Sequence, residues 1–166
     1  LQDSERDDAL LASLEPLHAP FFDEARLRRR DAPAVVGADG ALSFAQLADA
    51  ALYWGARIQQ ADTSAARMPV PVLLDKGCAQ VVAVLAALAA GCAYVPINLH
   101  QPPGRVLKIL RAVECAVALV PPQLPEALAE LQFPDGCTPL VLRLDEHAQP
   151  GAAPPLAAAA APPLEK

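Results

Sequence analysis

At 166 residues, with 54% hydrophobic residues and a net charge of −6, the chain can form one domain with a sizeable core. The hydrophobic fraction argues against a disordered chain, and the acidic balance argues against nucleic acid as a partner, because phosphate binding requires clustered Lys and Arg. The chain begins with Leu1 rather than Met, which predicts that it is a piece of a longer protein.

The four cysteines predict buried thiols rather than a metal site. They are Cys78, Cys92, Cys115 and Cys137, and no two of them form a C-x-x-C pair of the kind that binds zinc. Most of them lie in or beside apolar runs, where a free cysteine behaves as a small hydrophobic residue. A reducing compartment, and hence a cytoplasmic location, is the expected setting.

The first predicted helix covers residues 18–30, with Phe21, Phe22 and Ala25 facing the core and Leu27 as a further candidate for that face. Four arginines crowd its end: Arg26, Arg28, Arg29 and Arg30. Such a cluster is compatible with a phosphate or nucleic-acid patch. A solvated helix end is the preferred interpretation, because the helix dipole favours cations at the C-terminus.

A hairpin and a second helix are predicted next. Two short strands, 34–36 and 41–44, flank a turn at Asp39-Gly40. Ser43 then caps a helix that runs to about residue 60, with Gln46 as its capping-box partner. The apolar positions of this helix recur at spacings of three and four: Phe44, Leu47, Ala51, Trp54 and Ile58. The two aromatic residues are therefore predicted to be core rather than a ligand platform.

The centre of the chain predicts a strand, a helix and a strand, at residues 70–74, 79–90 and 93–97. All three are nearly continuous apolar runs, which is typical of a parallel sheet buried on both faces by helices. Residues 78–97 are long enough to cross a bilayer, but Gly91 and Val95-Pro96 interrupt a helix there. A buried core helix is therefore preferred, and no membrane partner is expected.

Beyond the centre, a helix is predicted over 105–114, strands over 116–120 and 139–144, and a short helix over 124–131. Arg105, Lys108 and Arg111 form a basic stripe on the first of these, interpreted as a solvated face. Residues 148–163 are almost entirely alanine and proline, which predicts a linker. The fold class is α/β: a mostly parallel sheet flanked by helices, opened by an N-terminal β-hairpin.

Motif searches assign no catalytic, cofactor-binding or metal-ligating residue. The chain has no G-x-G-x-x-G, no G-x-x-x-x-G-K-[ST] and no G-x-S-x-G motif. Lys76-Gly77 follows a strand and opens a helix, where an anion could bind, although a plain turn is preferred. His100 follows the carboxyl end of a strand, where α/β sheets place ligands, but a surface turn histidine is the default. The pair Asp145-Glu146 is expected to be solvated.

Three segments resemble the adenylation domains of nonribosomal peptide synthetases. Residues 88–98, L-A-A-G-C-A-Y-V-P-I-N, resemble the second core motif of that family, L-K-A-G-x-A-Y-V-P-[IL]-D. Residues 42–47, L-S-F-A-Q-L, are similar to its first core motif, L-T-Y-x-E-L, and residues 103–106 are similar to the P-x-R-[IL] start of its next helix. The resemblance covers about residues 17–144. The departures are Phe44, Gln46, Ala89 and Asn98, at positions that are largely structural in the family.

The resemblance implies that this chain is the first part of the large N-terminal subdomain of an adenylate-forming enzyme. Residues 1–16 are then a linker, with a condensation domain as the implied upstream neighbour. Residues 17–147 are a partial adenylation domain, and residues 148–166 are an Ala/Pro-rich linker or tail. The implied partners are the remainder of the adenylation domain and the neighbouring condensation and carrier-protein domains.

An intact relative would use ATP and Mg²⁺ to make an aminoacyl-adenylate, and would load the amino acid onto a carrier-protein phosphopantetheine. The family's phosphate loop, substrate pocket, hinge and catalytic lysine are expected beyond residue 166, so this part is expected to be structural and inactive alone. Two alternatives remain open. One is a noncatalytic truncated adenylation domain that serves as a scaffold or docking module, and the other is a fragment of an acyl-CoA ligase.

Overall fold

The computed structural model of the chain describes residues 16, 18–62 and 67–144, which form an α/β domain of helices, a hairpin and a sheet. The elements in chain order are α1 (Ala19–Leu27), β1 (Pro33–Gly37), β2 (Gly40–Ser43), α2 (Phe44–Ala61), β3 (Val70–Val72), α3 (Cys78–Ala89), β4 (Tyr94–Pro96), α4 (Pro103–Val113), β5 (Val117–Val120), a 3-10 turn (Glu126–Leu128) and β6 (Thr138–Val141). The predictions for residues 1–15 and 145–166 lie outside the described residues.

The predicted hairpin and the helix that follows it are confirmed. Strands β1 and β2 pair antiparallel from Pro33–Ser43 to Gly37–Gly40. Gly40 has a φ of 127°, a backbone conformation that L-residues with side chains rarely adopt. Both bonds of the capping box are present at the start of α2: the Gln46 N–H donates to Ser43 Oγ at 3.3 Å, and the Ser43 N–H donates to Gln46 Oε1 at 2.9 Å.

The main sheet has the strand order β4-β3-β5-β6, and all its strands are parallel. Strands β3 and β5 are fully buried, as continuous apolar runs predict. The prediction that both strands flanking α3 are buried is wrong for β4, in which Tyr94 is 41% exposed. The reason is strand order, because β4 lies at the edge of the described sheet, whereas β3 lies between two neighbours.

Helices cover both faces of the sheet and define two cores. On one face, α2 and α3 pack over Val70, Val72 and Leu119. On the other face, α4 and the 3-10 turn pack over Leu73 and Ala118. The predicted core aromatic Trp54 is 1% exposed. Phe44 is half-buried and stacks on Phe21, with ring centroids 5.9 Å apart.

Several elements are shorter than their patterns predict. Helix α1 ends at Leu27 rather than residue 30, because the N–H groups of Arg28 and Arg29 both donate to the Glu24 carbonyl and close the helix. Leu27, a candidate for the buried face, is 78% exposed because it is the last residue of this shorter helix. The helix expected over 124–131 is a single 3-10 turn that follows Pro125. Along the described ranges, 18–62 and 67–144, no helix has both the length and the apolar character that a membrane span requires.

Candidate functional site

Lys76 and His100, which the sequence considered as ligand positions but interpreted as plain turns, lie at the carboxyl ends of β3 and β4. His100 Nε2 lies 3.4 Å from Asp75 Oδ1, and the His100 N–H donates to Asn98 Oδ1 at 2.8 Å. Lys76 follows Asp75 and is exposed. The His100 and Asp75 side chains are 76% and 64% exposed, so solvent screens their attraction and the pair contributes little to stability. His100 is thus placed as the surface turn histidine of the default interpretation.

The N-terminus of α3, the position considered for an anion, holds a carboxylate of the chain itself. The Cys78 N–H donates to Asp39 Oδ1 at 2.8 Å, and the Ala79 N–H donates to Asp39 Oδ2 at 3.0 Å. A carboxylate is favoured there because the first N–H groups of a helix have no partner within the helix and carry partial positive charge. The turn of the β1–β2 hairpin therefore caps a helix that begins 39 residues later in the chain.

Electrostatics at this cap favour the ionised carboxylate. Burial by itself would raise the pKa of Asp39, but hydrogen bonds from the backbone N–H groups of Ala79 and Cys78 outweigh it and hold the pKa below its ordinary value. The pKa of the Cys78 thiol is raised, first by burial and then by the adjacent Asp39 charge. Cys78 Sγ donates to the Gly40 carbonyl at 3.3 Å, so this thiol is a hydrogen-bond donor that joins the hairpin to α3.

Two glycines make room for the cap. A Cβ atom at Gly77 would lie 2.5 Å from Asp39 Oδ1, and one at Gly37 would lie at the same distance from that oxygen. Sequence analysis missed this role of Asp39, because Asp39-Gly40 already explained the hairpin turn. The available signal was Gly77, which immediately precedes α3 and has no side chain with which to cap it.

Replacing Asp39 with alanine is expected to destabilise the fold by about 1 kcal/mol, the usual cost of losing a helix cap. Asp39→Asn is the matched control, since its amide oxygen still accepts one N–H bond and it is expected to lose less. Chemical denaturation followed by circular dichroism measures both variants. Equal stability of Asp39→Ala and the wild type would show that water replaces the carboxylate at no cost.

Acid is expected to remove the part of this stabilisation that depends on charge. Because the folded pKa of Asp39 is depressed, its contribution is present above the ordinary Asp pKa and is lost as the pH falls through the folded value. The stability difference between the wild type and Asp39→Asn should therefore stay constant near neutral pH and shrink in acid. A difference that grows as the pH falls would contradict the assigned direction of the pKa shift.

The other candidate clusters do not converge on a site. The Arg28, Arg29 and Arg30 side chains are exposed, and the first two lie 3.4 and 3.8 Å from the carboxylate oxygens of Glu24. The basic stripe on α4 is also exposed, as a solvated face predicts. In the part of the chain that the structure describes, no three His, Cys, Asp or Glu side chains form a group able to hold a metal ion. The pair at 145 and 146 lies outside it.

The segment 88–98 has a structural role that its geometry explains. Gly91 follows α3 with a φ of 78°, and the Cys92 N–H donates to the Ala87 carbonyl at 2.9 Å, which closes the helix. The chain then turns directly into β4: the Val70 N–H donates to the Ala93 carbonyl, and the Ile97 N–H donates to a β3 carbonyl. The motif thus joins the end of α3 to the edge of the sheet.

Comparison with known proteins gives one family and a consistent set of relatives. The model of a family described as "AMP-binding enzyme" matches residues 21–164. Phenyloxazoline synthase MbtB of Mycolicibacterium paratuberculosis is 42% identical over 106 residues, which is 64% of this chain and 9% of that protein. Pyochelin synthetase PchF of Pseudomonas aeruginosa is 38% identical over 152 residues, 91% of this chain and 8% of that protein. The chain therefore spans less than a tenth of either relative.

Solved structures agree with this fold. The nonribosomal peptide synthetase FmoA3, with alpha-methyl-L-serine-AMP bound, superposes with a TM-score of 0.69 at 34% identity, over 78% of this chain and 14% of that one. A benzoate CoA ligase from Burkholderia xenovorans gives a TM-score of 0.72 at 22% identity, over 89% of this chain and 30% of that one. The second likeness shows the shared fold alone, because its sequence identity is low.

Proposed function

The chain belongs to the AMP-binding enzyme family, as the first part of an adenylation domain of the nonribosomal peptide synthetase type, and we propose that the protein containing it activates an amino acid. In the proposed reaction, the amino acid carboxylate attacks the α-phosphorus of ATP, an aminoacyl-adenylate forms and pyrophosphate leaves. The acyl group then passes to the phosphopantetheine thiol of a carrier protein. The observation that carries the proposal is the family match over residues 21–164, which includes the whole β3–α3–β4 unit.

The role proposed for this chain within that enzyme is structural. Asp39 occupies the N-terminus of α3, where a phosphate would otherwise find free N–H groups, so this helix does not fit a nucleotide. The described part instead supplies a buried sheet that holds its helices in place. We therefore assign no step of the reaction to its residues, and we expect the chain alone to be inactive.

The remainder of the adenylation domain is the proposed partner of the exposed sheet edges. Tyr94 on β4 and Val141 on β6 are 41% and 40% exposed, and these two strands are the outer strands of the described sheet. Large apolar side chains at sheet edges are typical of surfaces that pair with further structure. The proposal also includes neighbouring condensation and carrier-protein domains as partners of the containing protein. It further includes Mg²⁺ as the counter-ion of ATP and a cytoplasmic location.

Exchange of labelled pyrophosphate into ATP tests the proposal. The protein that contains this chain should catalyse exchange that depends on an amino acid, and the 166-residue chain alone should give none. Exchange by the isolated chain would overturn the structural role. A containing protein that releases AMP only with a carboxylic acid and coenzyme A would favour the acyl-CoA ligase alternative, and one that is inert with every acid would favour the noncatalytic scaffold.

A further inference from the structure

Two of the four cysteines lie against each other in the second core. Cys115 and Cys137 are both buried, and their Sγ atoms are 3.2 Å apart. Cys115 lies just before β5 and Cys137 just before β6, two parallel strands that pair with Val117 opposite Thr138. The strand register therefore places both thiols at the same end of neighbouring strands, although 22 residues separate them in sequence.

This arrangement is close to that of a disulfide. Extending the register of β5 and β6 back from Val117 and Thr138 puts Cys137 one position out of register with Cys115, on neighbouring strands about 4.8 Å apart. Starting from 3.2 Å, the two sulfur atoms need to approach by only about 1 Å to reach a bonded distance. The sulfur atoms of the other two cysteines instead lie against backbone carbonyl oxygens. Cys78 Sγ is 3.3 Å from the Gly40 carbonyl oxygen, and Cys92 Sγ is 3.9 Å from the Ala90 carbonyl oxygen.

The two thiols are also chemically unequal. Their mutual hydrogen bond lowers the pKa of Cys115 and raises that of Cys137, because it stabilises one thiolate at the expense of the other. Cys115 further lines an open surface cleft together with Arg111, Glu114 and Asp135, whereas Cys137 is not among the residues that line it. A sulfur that ionises more readily and borders a cleft is the one expected to react first.

We propose that Cys115 and Cys137 form an oxidisable dithiol, a modification site at which a hydroperoxide converts two buried thiols into a disulfide. The Cys115 sulfur attacks the terminal peroxide oxygen and becomes a sulfenic acid. The O–O bond breaks, and the leaving oxygen takes the thiol proton, which gives water from hydrogen peroxide or an alcohol from an organic hydroperoxide. The Cys137 sulfur then attacks the sulfenic sulfur, the S–S bond forms, and hydroxide leaves with the Cys137 proton as water.

The bond would have a local structural effect. It would close the loop that contains the 3-10 turn and fix β5 to β6 at their N-terminal ends. Asp75 and His100 lie at the carboxyl ends of the parallel strands, opposite the N-terminal ends that the disulfide would join. Oxidation is therefore expected to raise the melting temperature of the chain without altering the surroundings of Asp75 and His100.

Thiol mapping on the folded 166-residue chain tests the proposal. The chain is treated with hydrogen peroxide, alkylated under denaturing conditions and digested. Free thiols should fall from the four in the sequence to two, with Cys115 and Cys137 in one cross-linked peptide pair that dithiothreitol separates. Cys78 and Cys92 should be recovered alkylated. Equal alkylation of all four cysteines, or cross-links distributed among them, would overturn the proposal.

Variants separate the two steps. In Cys137→Ala, the Cys115 sulfenic acid has no thiol to attack it and should be trapped by dimedone. Cys92→Ala is the matched control and should keep the cross-link. If Cys137→Ala does not fold, the peptide map of the wild type decides alone. As a further check, the same oxidation in denaturant should lose its selectivity, and an unchanged cross-link pattern there would show that the fold does not select the pair.

Discussion

Replacing Trp54 with alanine is expected to destabilise the fold by about 3–5 kcal/mol, the usual cost of deleting a large buried aromatic side chain. The indole is 1% exposed, packs in the core between α2, α3 and the sheet, and meets the Tyr53 ring edge to face at 5.4 Å. Removing it leaves a cavity that its neighbours can fill only in part. Because a domain is stabilised by only about 5–15 kcal/mol, this loss should be visible as a lower midpoint of urea denaturation.

Trp54→Phe is the matched control for this prediction. Phenylalanine keeps an aromatic ring in the site, and it also removes the indole N–H, which is buried without a hydrogen-bond partner among the described residues. A cost below about 1.5 kcal/mol is therefore expected. Circular dichroism is the appropriate probe, because Trp54 is the only tryptophan of the sequence and its fluorescence disappears in both variants. Small losses in both variants would place the indole outside the tight core.

Replacing Gly55 with valine is expected to destabilise the fold by about 2–3 kcal/mol through overpacking. Helices α2 and α3 approach closely at this point: a Cβ atom on residue 55 would lie 3.1 Å from the Ala86 carbonyl oxygen and 3.4 Å from the Ala89 Cβ atom. The nearest of these atoms belongs to the backbone of α3, which cannot move aside as a flexible side chain can. The helices would have to separate, and both lie over the same core.

Gly104→Val provides the matched control, because the same substitution is made in another helix. A Cβ atom at Gly104 meets nothing within 4 Å, and the residue is exposed in the first turn of α4. The substitution should be neutral or slightly stabilising, since glycine is the poorer helix former by a few tenths of a kcal/mol. Equal destabilisation at both positions would mean that backbone preference, rather than the contact between α2 and α3, explains the effect.

Local patterns in the sequence were sufficient for most elements. The capping box of Ser43 and Gln46 joins residues three apart, and the buried face that includes Trp54 follows from the 3.6-residue period of a helix. The turn at Gly91 follows from the need for a left-handed residue after α3. Such features depend on neighbours within one or two turns, so the residues that specify them stand together in the chain.

For the candidate residues, the choice between a ligand position and a plain surface turn depended on the segments that pack around them in the folded chain. A local sequence pattern does not show which distant segments those are. His100 and Lys76 both lie at the carboxyl ends of the strands, as the sequence indicated, but both are exposed there. At the N-terminus of α3 the sequence favoured a plain turn over an anion site, and the structure places the Asp39 carboxylate of the hairpin there. Burial and occupancy are properties of the packed molecule, since they depend on which distant segments cover a residue.

By itself, the sequence determined the α/β class, the hairpin, the cap of α2, the parallel β3–α3–β4 unit and the family to which these motifs belong. Only the tertiary structure decided that β4 is an edge strand, that Asp39 caps a helix 39 residues away and that Cys115 meets Cys137 across 22 residues. The physical reason is range. Periodicity and capping act between residues a few positions apart, so they can be recognised in the sequence. Strand order brings together side chains that are far apart in the chain, and nothing in the sequence around either residue indicates that they are in contact.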